Sequence, residues 1–349
     1  MILAHTLADL AVRYVEKDVH RTDRHIPLFA GEDIPHPDPT SPFYNEDSPG
    51  TNVHMEQMKD MLLTYLEYDT PPTDGKTSIV NSHPQNLGYV QGMSDLLAPL
   101  YAVFQDDALA FWCFAEFMKR MSRNFVRSQA GMRSQLSTID QLVQLLDPDL
   151  YAHLQKLDST NFFFFFRMLL VWYKREFEWA DVLRLWESLW TDYYSSQFHL
   201  FVAVAILEKH RDVIIEHLKG FDEVLKYVNE LSNTIDLQST LVRAEGLFKK
   251  FEKMVQAIDK KGNFPSAPMN ELKQRPQGKG KEAEVKNTNA GKQSQGTSSG
   301  ADSQHKRTES EAVKERVISP ELRLLLSRKI VTLDEEDTGT RTRASGLKD

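Results

Sequence analysis

Three side chains have the types and spacing to act on a charged group. Asp18 and Arg21 stand three residues apart in Val15-Glu16-Lys17-Asp18-Val19-His20-Arg21-Thr22-Asp23-Arg24. On a helical turn that spacing places both on one face, where they can pair. By itself the pair reads as a surface ion pair, worth roughly 0.2–1 kcal/mol. Gln91 lies in Leu87-Gly88-Tyr89-Val90-Gln91-Gly92-Met93, between a Pro/Ser/Asn-rich loop and the apolar run from Leu96 to Phe104. Its amide offers a donor and an acceptor, so it can orient a water without carrying charge. Taken alone, a glutamine there reads first as a helix cap.

Other chemistries find no support in the residues. There is no His-Glu-x-x-His and no Gly-x-Ser-x-Gly. Gly75-Lys76-Thr77 resembles the end of a phosphate-binding loop, but Thr70 stands where the first glycine belongs and no apolar strand precedes it. The 11 histidines are scattered without metal-ligand spacing, so no metal or cofactor is expected. The lone cysteine, Cys113 in Phe111-Trp112-Cys113-Phe114, excludes a disulfide within the chain and reads as a small buried hydrophobe. A reducing, cytoplasmic setting follows. The net charge of −8 argues against nucleic acid as the main partner.

The elements that position these residues are helical. Leu3, Leu7, Leu10 and Tyr14 predict an amphipathic helix over 2–17. Between Ile26 and Gly50, Pro35, Pro37, Pro39, Pro42 and Pro49 predict irregular backbone. A helix capped by Thr51 or Asn52 carries Met55, Met58, Leu62 and Tyr65 to about Tyr68, and a second loop spans Thr70–Asn86. Asp106 or Asp107 starts a helix through Met121, and Ser134–Leu146 forms the next. Asp147-Pro148 opens a short one, since proline is tolerated in a first turn. Phe162–Phe177 reads as a buried helix and Ala180–Trp190 as another. Ser195 or Ser196 caps a helix to His210; helices near Arg211–Leu218 and Phe221–Leu231 follow, and Asp236 caps the last, through Met254. No stretch alternates well enough to predict a strand. No segment is long and apolar enough to span a membrane, and no signal peptide or lipidation motif is visible.

After Val255 the single aromatic residue is Phe264, and from Lys260 to about Glu315 Gly, Ser, Gln, Lys, Asn and Glu dominate. Such a composition cannot bury enough apolar area to fold alone. The expected organisation is one all-α domain over 1–257 and a disordered polar tail over 258–349. A short amphipathic helix near 320–331, with Leu322, Leu324, Leu325, Leu326 and Ile330, could dock on the domain or on a partner.

The two short segments together resemble the paired signatures of the TBC domain, a GTPase-activating module for Rab GTPases. One is hydrophobic–x–x–Asp–x–x–Arg, here Val15, Asp18 and Arg21. The other is Tyr–x–Gln, here Tyr89 and Gln91, within Leu87–Pro99. The likeness continues through Arg175-Glu176-Phe177 and Arg184-Leu185-Trp186-Glu187-Ser188-Leu189-Trp190. It implies a two-lobed helical fold that binds a Rab-type GTPase in its GTP form and accelerates hydrolysis. Arg21 would be the arginine finger, Gln91 would orient the attacking water, and Asp18 and Tyr89 would hold them. GTP and Mg²⁺ would come with the partner. Peripheral association with endomembranes would be through such partners. Members of the family begin some tens of residues earlier with a helix carrying Arg and Trp, so the resemblance implies an N-terminal lobe without its first helices. Thr70–Gln85 reads as an insertion before the glutamine. The rival reading is a non-catalytic TBC fold that serves as a Rab-binding or scaffold module.

Overall fold

The computed structural model describes residues 2–30, 52–69, 88–262 and 318–331, and among them all regular structure is helical. The helices are α1 (Ile2–Val19), α2 (Pro27–Ala30), α3 (Val53–Asp69), α4 (Met93–Phe104), α5 (Asp107–Phe125), α6 (Ala130–Leu146) and α7 (Pro148–Lys156). After a 3₁₀ turn at Phe163–Phe165 come α8 (Phe166–Leu170), α9 (Trp179–Trp190), α10 (Phe198–Lys209), α11 (Arg211–His217), α12 (Phe221–Glu230), α13 (Leu237–Gly262) and α14 (Pro320–Leu324). Of the described residues, those up to Met254 and those from Ile318 to 331 fall in one compact unit, and those from Val255 to Gly262 in a second. No helix among the described residues is long and apolar enough to cross a membrane.

Several starts follow from local capping chemistry. The Asn52 side chain accepts from the Met55 amide at 2.9 Å, Asp106 from Leu109 at 2.8 Å and Asp147 from Leu150 at 3.0 Å. Asp236 accepts from Ser239 at 2.7 Å. Each satisfies a first-turn amide that has no partner inside its helix.

Other elements depart from the sequence reading. Tyr14 is 61% exposed, and the buried face of α1 is made by Val15 and Val19 instead. Packing against α3 and α4 selects that face. The side chains of Leu3, Leu7 and Leu10 lie outside the described residues, as do the two loops 31–51 and 70–87. Helix α6 begins four residues before Ser134, and α5 continues to Phe125. Cys113 is partly exposed rather than buried. Ser195 and Ser196 do not cap α10, since their hydroxyls turn to the carbonyls of Ser327 and Lys329.

The largest departure is in the aromatic run. The expected helix from Phe162 to Phe177 stops at Leu170, and Trp172 and Tyr173 take left-handed backbone angles, φ 47° and 59°. Long-range bonds hold them there. The Trp186 indole donates to the Trp172 carbonyl at 2.8 Å, and the Tyr173 hydroxyl donates to the His199 carbonyl at 2.6 Å. Buried tertiary partners thus override helix continuation.

Helix α10 is apolar all round, and every residue from Phe198 to Leu207 is buried. The polar side chain within that buried run, His199, donates its Nε2–H to Gln135 Oε1 at 2.8 Å. Burial, with help from Arg123 and Arg120, lowers its pKa to about 3. His199 therefore stays neutral in the fold, whereas an unfolded histidine binds a proton below about pH 6.5. The stability that this histidine contributes is complete above that pH and is expected to fall as pH drops toward 3, by about 1.4 kcal/mol per pH unit. Urea titrations across that range would show the slope, and His199→Gln should remove it.

The segment 318–331 docks on the domain. Ser319 donates to Gln141 at 2.5 Å, and Leu322 and Leu325 are buried. The Ser196 amide donates to the Ser327 carbonyl at 3.0 Å, and the Arg328 guanidinium lies 5.5 Å over the Tyr193 ring.

Candidate functional site

Asp18 sits in the last turn of α1 with its side chain 3% exposed. It is therefore a buried carboxylate, not half of a surface pair, and a buried charge must be matched by hydrogen bonds. The matches are all present. Asp18 Oδ1 accepts from Arg21 Nε at 3.0 Å and Nη2 at 2.6 Å. Asp18 Oδ2 accepts from the Tyr89 hydroxyl at 2.6 Å, the Gly92 amide at 2.9 Å and the Ser94 hydroxyl at 3.0 Å. Burial alone would raise the Asp18 pKa, but the bonds from Tyr89, Gly92, Arg21 and Ser94 outweigh it and hold the group below the usual carboxylate range. Burial and the Asp18 charge push the Tyr89 phenol up, so it remains a donor.

The geometry joins segments seventy residues apart. Arg21 lies just past the end of α1, in a turn where its side chain is 48% exposed. Gln91 is exposed and stands between Tyr89 and Gly92, both bound to the same carboxylate oxygen. One side chain, Asp18, thus anchors Arg21 on one oxygen and the residues flanking Gln91 on the other. The Thr22 hydroxyl reinforces the junction, 2.7 Å from the Asp18 carbonyl and 3.0 Å from Ser94 Oγ.

Gly92 makes this approach possible. Its φ of 104° is a conformation that side-chain-bearing residues avoid, and an added Cβ would meet Val171 Cγ1 at 3.1 Å. Gly92→Ala is expected to destabilise the domain by about 1–2 kcal/mol, read as a lower denaturation midpoint.

Beside Arg21 opens a cleft of about 560 Å³, lined by Arg21, His25, Asp95, Lys174, Arg175 and Trp179 among others. Arg175 grips Asp95 with two bonds, Nε to Oδ1 at 3.1 Å and Nη2 to Oδ2 at 2.6 Å. Lys174 pairs with Asp23 and lies 3.8 Å from Asp95. Asp23, Ser94, Asp95 and Lys174 had no signal in the sequence as site residues. Their partners lie 76 to 151 positions away in the chain, beyond any local spacing rule. Arg175 stood inside a matching motif but carried no role.

A buried aspartate thus joins Arg21 to the segment of Gln91 within an all-helical domain. Residues 78–215 match the Rab-GTPase-TBC domain family, a span that includes Tyr89, Gln91 and Arg175, with Arg21 upstream of it. The chain belongs to that family. It is similar to the GTPase-activating protein GYP7 of Yarrowia lipolytica, 58% identical over 253 residues, or 71% of this chain and 32% of that protein. It is also similar to human TBC1 domain family member 17, 40% identical over 237 residues, or 68% and 31% of the two chains. In fold it is similar to the crystal structure of the Ypt/Rab-GAP domain of Gyp1p, with a TM-score of 0.53, 22% identity, and coverage of 69% of this chain and 73% of that one. The chain spans about a third of the length of these curated relatives.

Proposed function

We propose that this domain accelerates GTP hydrolysis by a Rab-type small GTPase, with Arg21 and Gln91 entering the partner's nucleotide site. The observation that carries this reading is the shared anchor. Asp18 holds Arg21 and the backbone around Gln91 on one carboxylate, and both of those side chains are exposed. The names of the relatives, GYP7 and the Ypt/Rab-GAP domain of Gyp1p, support the same activity and partner.

The chemistry follows from charge. In phosphoryl transfer, negative charge spreads over the oxygens of the γ-phosphoryl group. A guanidinium brought there stabilises that charge, and its planar fork reaches more than one oxygen while remaining cationic. Asp18 restrains the Arg21 side chain before the partner arrives, which lowers the ordering cost on binding. The Gln91 amide donates to one neighbour and accepts from another, which suits it to align an attacking water without taking its proton. GTP and Mg²⁺ belong to the partner, so this chain needs no phosphate-binding loop.

The test is single-turnover GTP hydrolysis by a panel of Rab GTPases with and without the protein. Acceleration for at least one Rab is expected. No acceleration for any Rab would overturn the catalytic reading. Binding to a Rab carrying GDP and a γ-phosphate mimic, without turnover, would assign the domain to a scaffold role.

A further inference from the structure

The turn after α8 is aimed at both halves of the site. Trp172 and Tyr173 hold left-handed φ angles that bulky side chains rarely adopt. Strain of this kind persists where the surroundings over-determine it, and it collects at functional positions. Here three hydrogen bonds fix it: Trp186 to the Trp172 carbonyl, Tyr173 to the His199 carbonyl, and the Tyr173 amide to the Met168 carbonyl at 2.7 Å. What the strained pair delivers is the next two residues, Lys174 and Arg175, each to a different acid.

Lys174 is buried, its ammonium paired with Asp23 and 5.4 Å over the Trp179 ring. Asp23 follows Arg21 by two residues and itself has a left-handed φ of 54°. Arg175 holds Asp95 by its two-pronged contact. Asp95 lies in the first turn of α4, four residues after Gln91 and next to Ser94, which donates to Asp18. The ammonium of Lys174, 3.8 Å from Asp95, ties the two pairs together.

We propose that Lys174 and Arg175 are positioning residues that staple the two finger segments in register, Lys174 setting Arg21 through Asp23 and Arg175 setting Gln91 through Asp95. This rests on the function proposed above. A buried ion pair adds little net stability compared with an apolar pair of the same shape. Its distinctive contribution is a fixed geometry, and geometry is what a finger requires.

Crossed double variants test it. In single-turnover assays with a responsive Rab, Lys174→Met should lower the maximal rate about 10–100-fold while KM for the GTPase stays within about twofold. That loss should vanish when Arg21→Ala is already present and persist with Gln91→Ala. Arg175→Met should show the reverse dependence, and Arg175→Lys should restore little because it lacks the fork. Asp23→Asn combined with Lys174→Met removes the pair without leaving a buried lone charge, and it should fold with a near-normal melting temperature yet keep the rate defect. Additive losses in every background, or recovery by the Asp23→Asn/Lys174→Met double variant, would overturn the proposal. A second readout needs no GTPase. In ¹⁵N spectra, Lys174→Met should shift the Arg21 Nε signal and leave the Gly92 amide in place, and Arg175→Met should do the opposite. If the wild-type protein accelerates no GTPase, the proposed function fails while these spectra still decide the positioning claim. Unchanged Arg21 Nε and Gly92 signals in both variants would sink it.

Discussion

Arg21→Ala is expected to remove almost all acceleration of GTP hydrolysis, a loss of about 10³–10⁵-fold, the range over which arginine fingers act. The fold should survive, because the Arg21 side chain is 48% exposed and Asp18 keeps its bonds from Tyr89, Gly92 and Ser94. Affinity for a GTP-loaded partner should change far less than the rate, since the arginine acts mainly where charge develops in the transition state. Arg21→Lys should recover little. It keeps the charge but cannot bond to Asp18 and to phosphate oxygens with one planar group. Single-turnover rates, with circular dichroism as a fold control, decide the matter. A near-normal rate from Arg21→Ala would remove Arg21 from the mechanism.

Asp18→Ala is expected to strike both stability and rate. The carboxylate is buried and accepts from four residues, so its removal strands the Tyr89 hydroxyl, the Gly92 amide and the Ser94 hydroxyl at once. Breaking a buried charged network in this way costs about 3–5 kcal/mol. Arg21 loses its restraint in the same step, and Gln91 loses the anchors on either side of it. At temperatures where the variant is folded, the rate should fall at least about 100-fold. Asp18→Asn preserves the shape but places an amide where Arg21 and Tyr89 both donate, so it should rescue stability only in part. Chemical denaturation and single-turnover kinetics measured together separate the two effects. The sign of the pH dependence is also set. The Asp18 pKa is lowered in the fold, so its contribution is present above the unfolded value near 3.8 and is lost only as pH falls below that through the folded value. Titration of Asp18 should therefore leave the rate flat from neutral pH down to about pH 4. An activity step assigned to Asp18 near neutral pH would contradict the buried, fully bonded carboxylate.

What the amino-acid sequence determined was local. Asp18 and Arg21 share one turn, and Tyr89 and Gln91 share one short segment; by spacing alone these read as a surface ion pair and a helix cap, and only the resemblance of the two segments together gave them a role. Asn52, Asp106, Asp147 and Asp236 marked helix starts because a cap bonds to amides two or three residues away. The tertiary structure decided everything that depends on distant partners. It buried Asp18 and turned an unremarkable i,i+3 pair into the hub of a site. It exposed Tyr14, which helical spacing had placed on the apolar face. It broke the aromatic run at Trp172 and Tyr173, where the pull of Trp186 and His199 defeats helix propensity. It also settled that the segment 318–331 docks on this domain, with Ser319 on Gln141 and Ser327 on Ser196. The physical reason is common to all four. Propensity and capping act within a turn of chain, whereas burial and ion pairing, as between Asp23 and Lys174 across 151 positions, exist only once the chain has closed on itself.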